Sequence, residues 1–107
     1  MYSKKIFKEI NSFSKSLALA RKNNLLIKPL PNNVLKDINL VKIIRMFAAA
    51  KLQWQPIGFK IGATNKKIIQ LLKAKEPFYS YLFSEQTFNS NSKLKLTPGT
   101  LGIELEI

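Results

Sequence analysis

The segment Pro56-Ile57-Gly58-Phe59-Lys60-Ile61-Gly62 divides this 107-residue chain into two parts of different character. Before it, apolar residues recur at helical spacing; after it, short apolar and aromatic runs alternate with turn-forming residues. Proline ends the preceding helix, and an apolar run bounded by glycines predicts a short strand. We therefore predict an α+β fold, with a helical region at residues 1–54 and a strand-rich region at residues 55–107.

Two long helices are predicted in the first part, because apolar side chains recur there every three or four residues. In residues 4–22 these are Ile6, Phe7, Ile10, Phe13, Leu17 and Ala20. Asn23-Asn24 end this pattern. The second helix covers residues 39–53, with Asn39 as its predicted N-cap. Its inward positions are Leu40, Ile43, Ile44, Phe47, Ala48 and Leu52. The prolines between the two helices favour an extended connector.

The second part is predicted to contain one further helix and several strands. Thr64 is the predicted N-cap of a helix that runs to residue 73. Residues 77–83 are aromatic and predicted to be extended, and residues 89–92 form a polar turn. Lysine alternates with leucine in residues 93–97, a pattern that suits an edge strand. Pro98-Gly99 then turns the chain into a final strand.

The final strand carries two of the six acidic residues of the chain, Glu104 and Glu106. Side chains alternate faces along a strand, so Ile103, Leu105 and Ile107 should point to one side and both carboxylates to the other. The carboxylates would then lie about 7 Å apart. Two like charges so close require a cation or a shared proton. A hard divalent cation such as Mg²⁺ prefers oxygen ligands and is the natural candidate.

Composition limits the available chemistry. The chain contains no cysteine and no histidine. These absences exclude a disulfide scaffold, thiolate metal sites and any catalytic device built on histidine, and they fit the reducing cytoplasm. Any reaction must use carboxylates, lysine, tyrosine, serine or a metal ion. No apolar run approaches the ~18 residues of a transmembrane helix, so no membrane association is expected.

The net charge of +12 raises the question of a nucleic-acid partner. Only Arg21 and Arg45 among the eighteen cationic residues are arginine, whereas nucleic-acid readers rely on arginine for bidentate contacts. The lysines are also spread along the whole chain. A solvated, lysine-rich surface is therefore the favoured interpretation, and a small basic RNA-binding module is the alternative.

Lys60 permits two interpretations. In the first, it lies on the exposed face of a half-buried strand, with Phe59 and Ile61 pointing inward. In the second, Gly58 and Gly62 allow a ligand to approach the backbone closely. A partly desolvated lysine between them would bind an anionic substrate or act as an acid or base with a lowered pKa.

Three segments together resemble a known family. They are Gly58-Phe59-Lys60-Ile61-Gly62-Ala63-Thr64, Glu76-Pro77-Phe78-Tyr79-Ser80-Tyr81-Leu82 and Ile103-Glu104-Leu105-Glu106-Ile107. Their order and spacing are similar to those of the 2-keto-4-pentenoate hydratase group of the fumarylacetoacetate hydrolase superfamily. Each motif alone is weak, but the three in this order are fairly specific. The resemblance covers residues 39–107.

The resemblance implies a mixed β-roll that follows N-terminal helices, and a metal-dependent hydro-lyase that acts on small 2-oxo acids such as 2-oxopent-4-enoate. It implies Glu104 and Glu106 as ligands of Mg²⁺ or Mn²⁺. It also implies Lys60 as the catalytic residue, with Lys60, Gly62 and Ser80 binding the substrate. The metal would polarise the keto group, and Lys60 would hold a second substrate oxygen or move a proton.

The sequence departs from the family pattern in three places. Phe78 stands where hydratases of this group often carry an acidic residue, so decarboxylation and C–C hydrolysis remain alternatives to hydration. Ser80 replaces the glycine of the motif. The third carboxylate ligand of the family would lie beyond Ile107, so we expect the chain to be a truncated, N-terminal and inactive portion of such an enzyme. An unpaired final strand would also favour pairing with another chain, so a homo-oligomer stays open.

Overall fold

A computed structural model of the protein describes residues 2–106. Within them the helices are α1 (Lys4–Asn23), α2 (Asn32–Leu35), α3 (Ile38–Leu52) and α4 (Lys66–Leu71), and the strands are β1 (Pro56–Gly62) and β2 (Phe78–Phe83). The α+β class is thus confirmed. The chain forms two compact units: one combines the residues up to Gln53 with those from Lys93 onward, and the other is Trp54–Ser92. None of the described helices is long and apolar enough to cross a bilayer.

Helix α1 is capped at both ends, by the Ser3 side chain at its start and by the Asn24 backbone at its end. The Ser3 hydroxyl accepts a hydrogen bond from the Ile6 amide at 3.3 Å, which satisfies one of the free donors of the first turn. At the other end, Asn24 adopts a left-handed conformation with φ of 52°. Its amide donates to the carbonyls of Ala20 and Arg21. The predicted end of the helix at Asn23-Asn24 is confirmed.

The start of α3 and the segment before it correct two predictions. The N-cap is Asp37, whose carboxylate accepts from the Leu40 amide at 3.0 Å, and the predicted N-cap Asn39 lies inside the helix. A carboxylate at this place also interacts favourably with the helix dipole. The connector predicted to be extended over residues 27–33 has no regular secondary structure up to Pro31, but its last two residues begin the single turn α2. Pro31, with φ of −56°, stands at its N-cap, and proline is readily accommodated where a helix begins.

The core of the helical unit lies where α1 packs against α3. Its buried apolar cluster consists of Ile10, Val34, Leu40 and Ile44. Ser14 is fully buried in the same region, and its hydroxyl donates to the carbonyl oxygens of Ile10 at 2.7 Å and of Ile44 at 3.1 Å. Phe7 and Phe47, predicted to face inward, are exposed. The small residues Ser14, Ala18, Ala48 and Ala49 are buried, and Phe13 is partly buried against the apolar cluster.

The two strands predicted near the end of the chain are absent from the described residues. Residues 93–97 and 101–106 have no regular secondary structure, and Leu101, Ile103 and Leu105 are exposed rather than inward-facing. A strand requires a partner for its backbone hydrogen bonds, and neither segment pairs with another. The turn between them is confirmed by the 3.2 Å bond from the Thr100 amide to the Thr97 carbonyl. Ile107 lies outside the described residues.

The second unit is organised by an antiparallel hairpin of β1 and β2. Two strand predictions, at residues 57–62 and 77–83, are thereby confirmed. A bulge interrupts the pairing between Pro56 and Gly58, so Ile57 is an extra residue without a partner opposite. Helix α4 connects the strands, and its N-cap is Asn65 rather than the predicted Thr64, because the Asn65 side chain accepts from the Lys67 amide at 2.8 Å. The mixed β-roll stays a prediction.

The open end of the hairpin is held by Glu85. Its carboxylate oxygens accept from the Gln55 amide at 3.1 and 3.3 Å, and the Ser84 amide donates to the Gln55 carbonyl at 2.9 Å. Loss of hydration raises the pKa of the Glu85 carboxyl. Hydrogen bonds from the Glu85 and Gln55 amides and from the Ser84 hydroxyl together outweigh this effect, and the pKa lies below its usual value.

The core contact predicts the effect of truncating Ile44. Because Ile44 is almost completely buried, Ile44→Ala should leave a cavity and lower the free energy of unfolding by about 2–4 kcal/mol. Met46 lies on the same helix but is 56% exposed, so Met46→Ala should change stability by less than about 0.5 kcal/mol. Urea unfolding followed by circular dichroism measures both. Equal losses would contradict the packing described here.

The Glu85 contact predicts a dependence on pH. A lowered folded-state pKa means that the contact stabilises the hairpin fully above the ordinary glutamate pKa and is lost as pH falls through the lowered value. Glu85→Gln should therefore destabilise the hairpin at pH 7 but make little difference at pH 3. Glu76→Gln is the matched control, since Glu76 is an exposed carboxylate of the same unit. Melting monitored by Trp54 fluorescence is the readout, and an identical pH profile for Glu85→Gln and the wild type would rule out this role.

Candidate functional site

The hairpin brings together the predicted substrate-binding residues. In the antiparallel register, the Cα of Lys60 is the partner of Ser80 and that of Gly62 is the partner of Phe78. Directly opposite residues project their side chains to the same face of a sheet. Lys60 and Ser80 are therefore neighbours across the two strands, and Gly62 lies two residues further along the same face. Three residues taken from two separate motifs thus share one surface, which we call the Lys60 face.

The two glycines of β1 differ in their surroundings: the Lys60 face is open at Gly58 and covered at Gly62. A Cβ atom added to Gly58 would have nothing within 4 Å. One added to Gly62 would lie 2.9 Å from a ring carbon of Phe78, so the Phe78 ring occupies the space above the Gly62 backbone. The absence of side chains therefore has different effects at the two positions. At Gly58 it leaves room beside Lys60, and at Gly62 it accommodates an aromatic ring.

Lys60 is more exposed than expected for a partly desolvated, substrate-binding lysine. Its side chain is exposed, and Ser80 across the hairpin is half-buried. The partial burial that this interpretation expects of Lys60 is therefore not observed. Lys60 lies on strand β1, and its cross-strand partner is the hydroxyl-bearing residue Ser80.

The other face of the hairpin was predicted incorrectly. Phe59 and Ile61 were expected to point inward, but they are 61% and 64% exposed. The ring of Phe59 lies 5.8 Å from that of Tyr79 and 5.3 Å from that of Tyr81, centroid to centroid, so these side chains share one face. The sequence signal was present in the alternation of residues 78–83. The strand register is needed to interpret this alternation, because it places Tyr79 and Tyr81 on the face opposite Ser80.

The two predicted metal ligands belong to the other compact unit. Glu104 and Glu106 lie in an exposed segment without regular secondary structure, so the strand that was to align their carboxylates is not formed. Among residues 2–106 no group of three or more histidine, cysteine, aspartate or glutamate side chains is placed to hold a metal ion. The donors are carboxylates, the kind that Mg²⁺ uses, and one or two of them with several waters make a weak site. They do not make a closed one.

Comparison with known proteins adds no relative to this description. No protein-family model matches the chain, and no match is found among curated proteins or among solved structures. The candidate site therefore depends on the motifs and on the hairpin geometry that joins them.

Proposed function

We propose that this chain carries part of the substrate-binding surface of a divalent-metal-dependent hydratase that acts on small 2-oxo acids, such as 2-oxopent-4-enoate. The observation that supports this most directly is the pairing of Lys60 with Ser80. These residues come from two motifs of the hydratase resemblance that are separated by a helix in the sequence. The register of the hairpin places one residue of each motif directly opposite the other.

The chemistry of the Lys60 face suits a small carboxylate. The ammonium of Lys60 offers a positive charge and three donors, and the Ser80 hydroxyl offers a donor or an acceptor across the hairpin. The open space at Gly58 admits a ligand beside the lysine. The net charge of +12 raises the local concentration of anions at moderate salt. In this proposal Lys60 orients the substrate carboxylate or keto oxygen and moves a proton to or from it.

The metal has a limited part in this proposal. When bound, Mg²⁺ or Mn²⁺ would polarise the keto group of a 2-oxo acid. Glu104 and Glu106 are the residues proposed to hold it. With only two exposed carboxylates as ligands, binding should be weak and strongly hydrated.

The position of Phe78 favours a second candidate reaction. Its ring lies against the Gly62 backbone on the Lys60 face, at the place where hydratases of this group often carry an acid. A phenyl ring transfers no proton. Decarboxylation or C–C hydrolysis of a 2-oxo acid, which would leave proton transfer to Lys60, is therefore the alternative to hydration.

The role of Lys60 predicts a charge-specific loss of substrate binding. Titration of 2-oxobutanoate as a stable substrate analogue, followed by NMR chemical shifts, should give a Kd in the millimolar range, and Lys60→Met should weaken it at least about 10-fold, the equivalent of about 1.4 kcal/mol. Lys66→Met removes an exposed lysine of the same unit outside the hairpin strands and should leave the Kd unchanged. Equal effects would mean that only net charge matters. Loss of absorbance of 2-hydroxypenta-2,4-dienoate tests hydration itself. If the absorbance stays constant although the analogue binds, the chain binds the substrate class but does not hydrate it.

The carboxylate pair predicts metal binding independent of any activity. Isothermal titration with Mn²⁺ should show weak binding, with a Kd on the order of 1 mM, that disappears in the double variant Glu104→Gln plus Glu106→Gln. The control Glu9→Gln plus Glu76→Gln removes the same charge from half-buried Glu9 and exposed Glu76 and should retain the heat. Identical heats in both double variants would exclude a site at Glu104 and Glu106 while leaving the Lys60 prediction intact.

A further inference from the structure

The hairpin face opposite Lys60 is an exposed apolar surface. It consists of Phe59, Ile61, Tyr79 and Tyr81, which we call the aromatic face. Their side chains are between 36% and 64% exposed. The three rings contact one another, with centroids 5.3 to 6.2 Å apart, so the face is one continuous patch. It contains no charged residue, although the chain has a net charge of +12.

Such a face is unfavourable in water unless it is covered. A two-stranded hairpin alone is marginally stable, and sheets gain stability when an apolar face packs against another layer. The largest exposed apolar patch on a typical monomer covers roughly 300–600 Å² and is often functional. At roughly half exposure of side chains that bury about 150–250 Å² each, the aromatic face offers about 400 Å².

We propose that the aromatic face is covered by the same face of a second copy of this chain, in a symmetric sheet-on-sheet dimer. An isologous contact requires a patch that complements itself, and an uncharged face built from aromatic and aliphatic residues meets this condition. Two copies would bury about 800 Å² in total, which is less than the roughly 1,000 Å² of a stable specific interface and in the range of weak, transient contacts. The dimer should therefore be weak, with a Kd on the order of 100 μM.

The distribution of charge agrees with this occupant. Residues 54–92 contain five lysines and two glutamates, a net charge of +3, so most of the +12 lies in the other unit. Lys60, the cationic residue of the strands, projects to the opposite face. Close like-charge contacts are thus avoided at the interface, and the remaining repulsion between copies is long-range and screened by salt.

A single-stranded nucleic acid is the competing occupant, since bases stack on exposed aromatic rings. The two occupants respond to salt in opposite directions. Salt screens the repulsion between two cationic copies and strengthens a dimer, whereas it releases a polyanion from a cationic protein. The absence of lysine and arginine from the aromatic face favours the dimer, because stacking platforms for nucleic acids combine rings with cations.

The test is sedimentation equilibrium of the full chain over about 10–500 μM, at low and at high NaCl. We expect a monomer–dimer equilibrium that is at least about threefold tighter at high salt. A monomer at every concentration would overturn the proposal, as would a dimer that weakens with salt. Titration with oligo-dT tests the competing occupant in parallel. Oligo-dT binding that is lost when Phe59 is replaced by threonine would assign the face to nucleic acid instead.

Variants locate the interface. Phe59→Thr combined with Ile61→Thr keeps β-branched residues in the strand and should weaken the dimer at least about 10-fold. Phe88→Thr removes an equally exposed aromatic outside both strands and should leave the dimer unchanged. Circular dichroism and Trp54 fluorescence, sensitive to the Phe83 ring 5.6 Å away, report whether the hairpin remains folded.

A charge variant keeps the proposal testable if the double variant unfolds. Ile61 is exposed in the monomer, so Ile61→Lys should be tolerated there. In the dimer it would bring two new charges into an uncharged interface, and we expect at least about a 10-fold weaker Kd. The same substitution would strengthen oligo-dT binding if nucleic acid were the occupant. An unchanged dimer in Ile61→Lys would overturn the proposal.

Discussion

Backbone hydrogen bonding between β1 and β2, in one antiparallel register, determines which side chains of the second unit can act together. The register pairs Lys60 with Ser80 and Phe59 with Tyr81, so it separates a surface with a cation and a hydroxyl from a surface of aromatic rings. If the pairing slipped by one residue, each side chain of one strand would face different partners. Neither the surface with Lys60 and Ser80 nor the aromatic surface would then form. Glu85 at the open end and the Phe78 ring over Gly62 both hold this register in place.

Local signals in the sequence were sufficient for helices α1, α3 and α4 and for the hairpin strands, but not for the short helix α2. Apolar spacing located α1 and α3, and the buried Ile10 and Ile44 were among the predicted inward residues. The N-caps were less predictable, because several residues near a helix start are competent to cap it, and tertiary context chose Asp37 over Asn39. Alternation alone did not produce strands in residues 93–106, where no partner strand supplies hydrogen bonds.

The candidate site likewise has features that the sequence predicted and features that depend on the whole fold. The resemblance assigned Lys60 and Ser80 to one substrate-binding site, but their direct pairing follows from the register, which no local pattern specifies. The exposure of Lys60 and of Phe59 depends on what covers each face, and covering is a property of the whole fold. Glu104 and Glu106 were placed on one surface by assuming a strand. Without that strand their alignment has no backbone support, and their role remains a proposal.

The bulge at Ile57 has a consequence for how this hairpin tolerates change. Because Ile57 is already an unpaired extra residue between Pro56 and Gly58, the strand contains a place where length is decoupled from pairing. Insertions or deletions of one residue near Pro56 can be absorbed there, while the cross-strand partners of Lys60 and Gly62 stay the same. The bulge therefore separates the length of the chain that enters the hairpin from the register that sets the two faces.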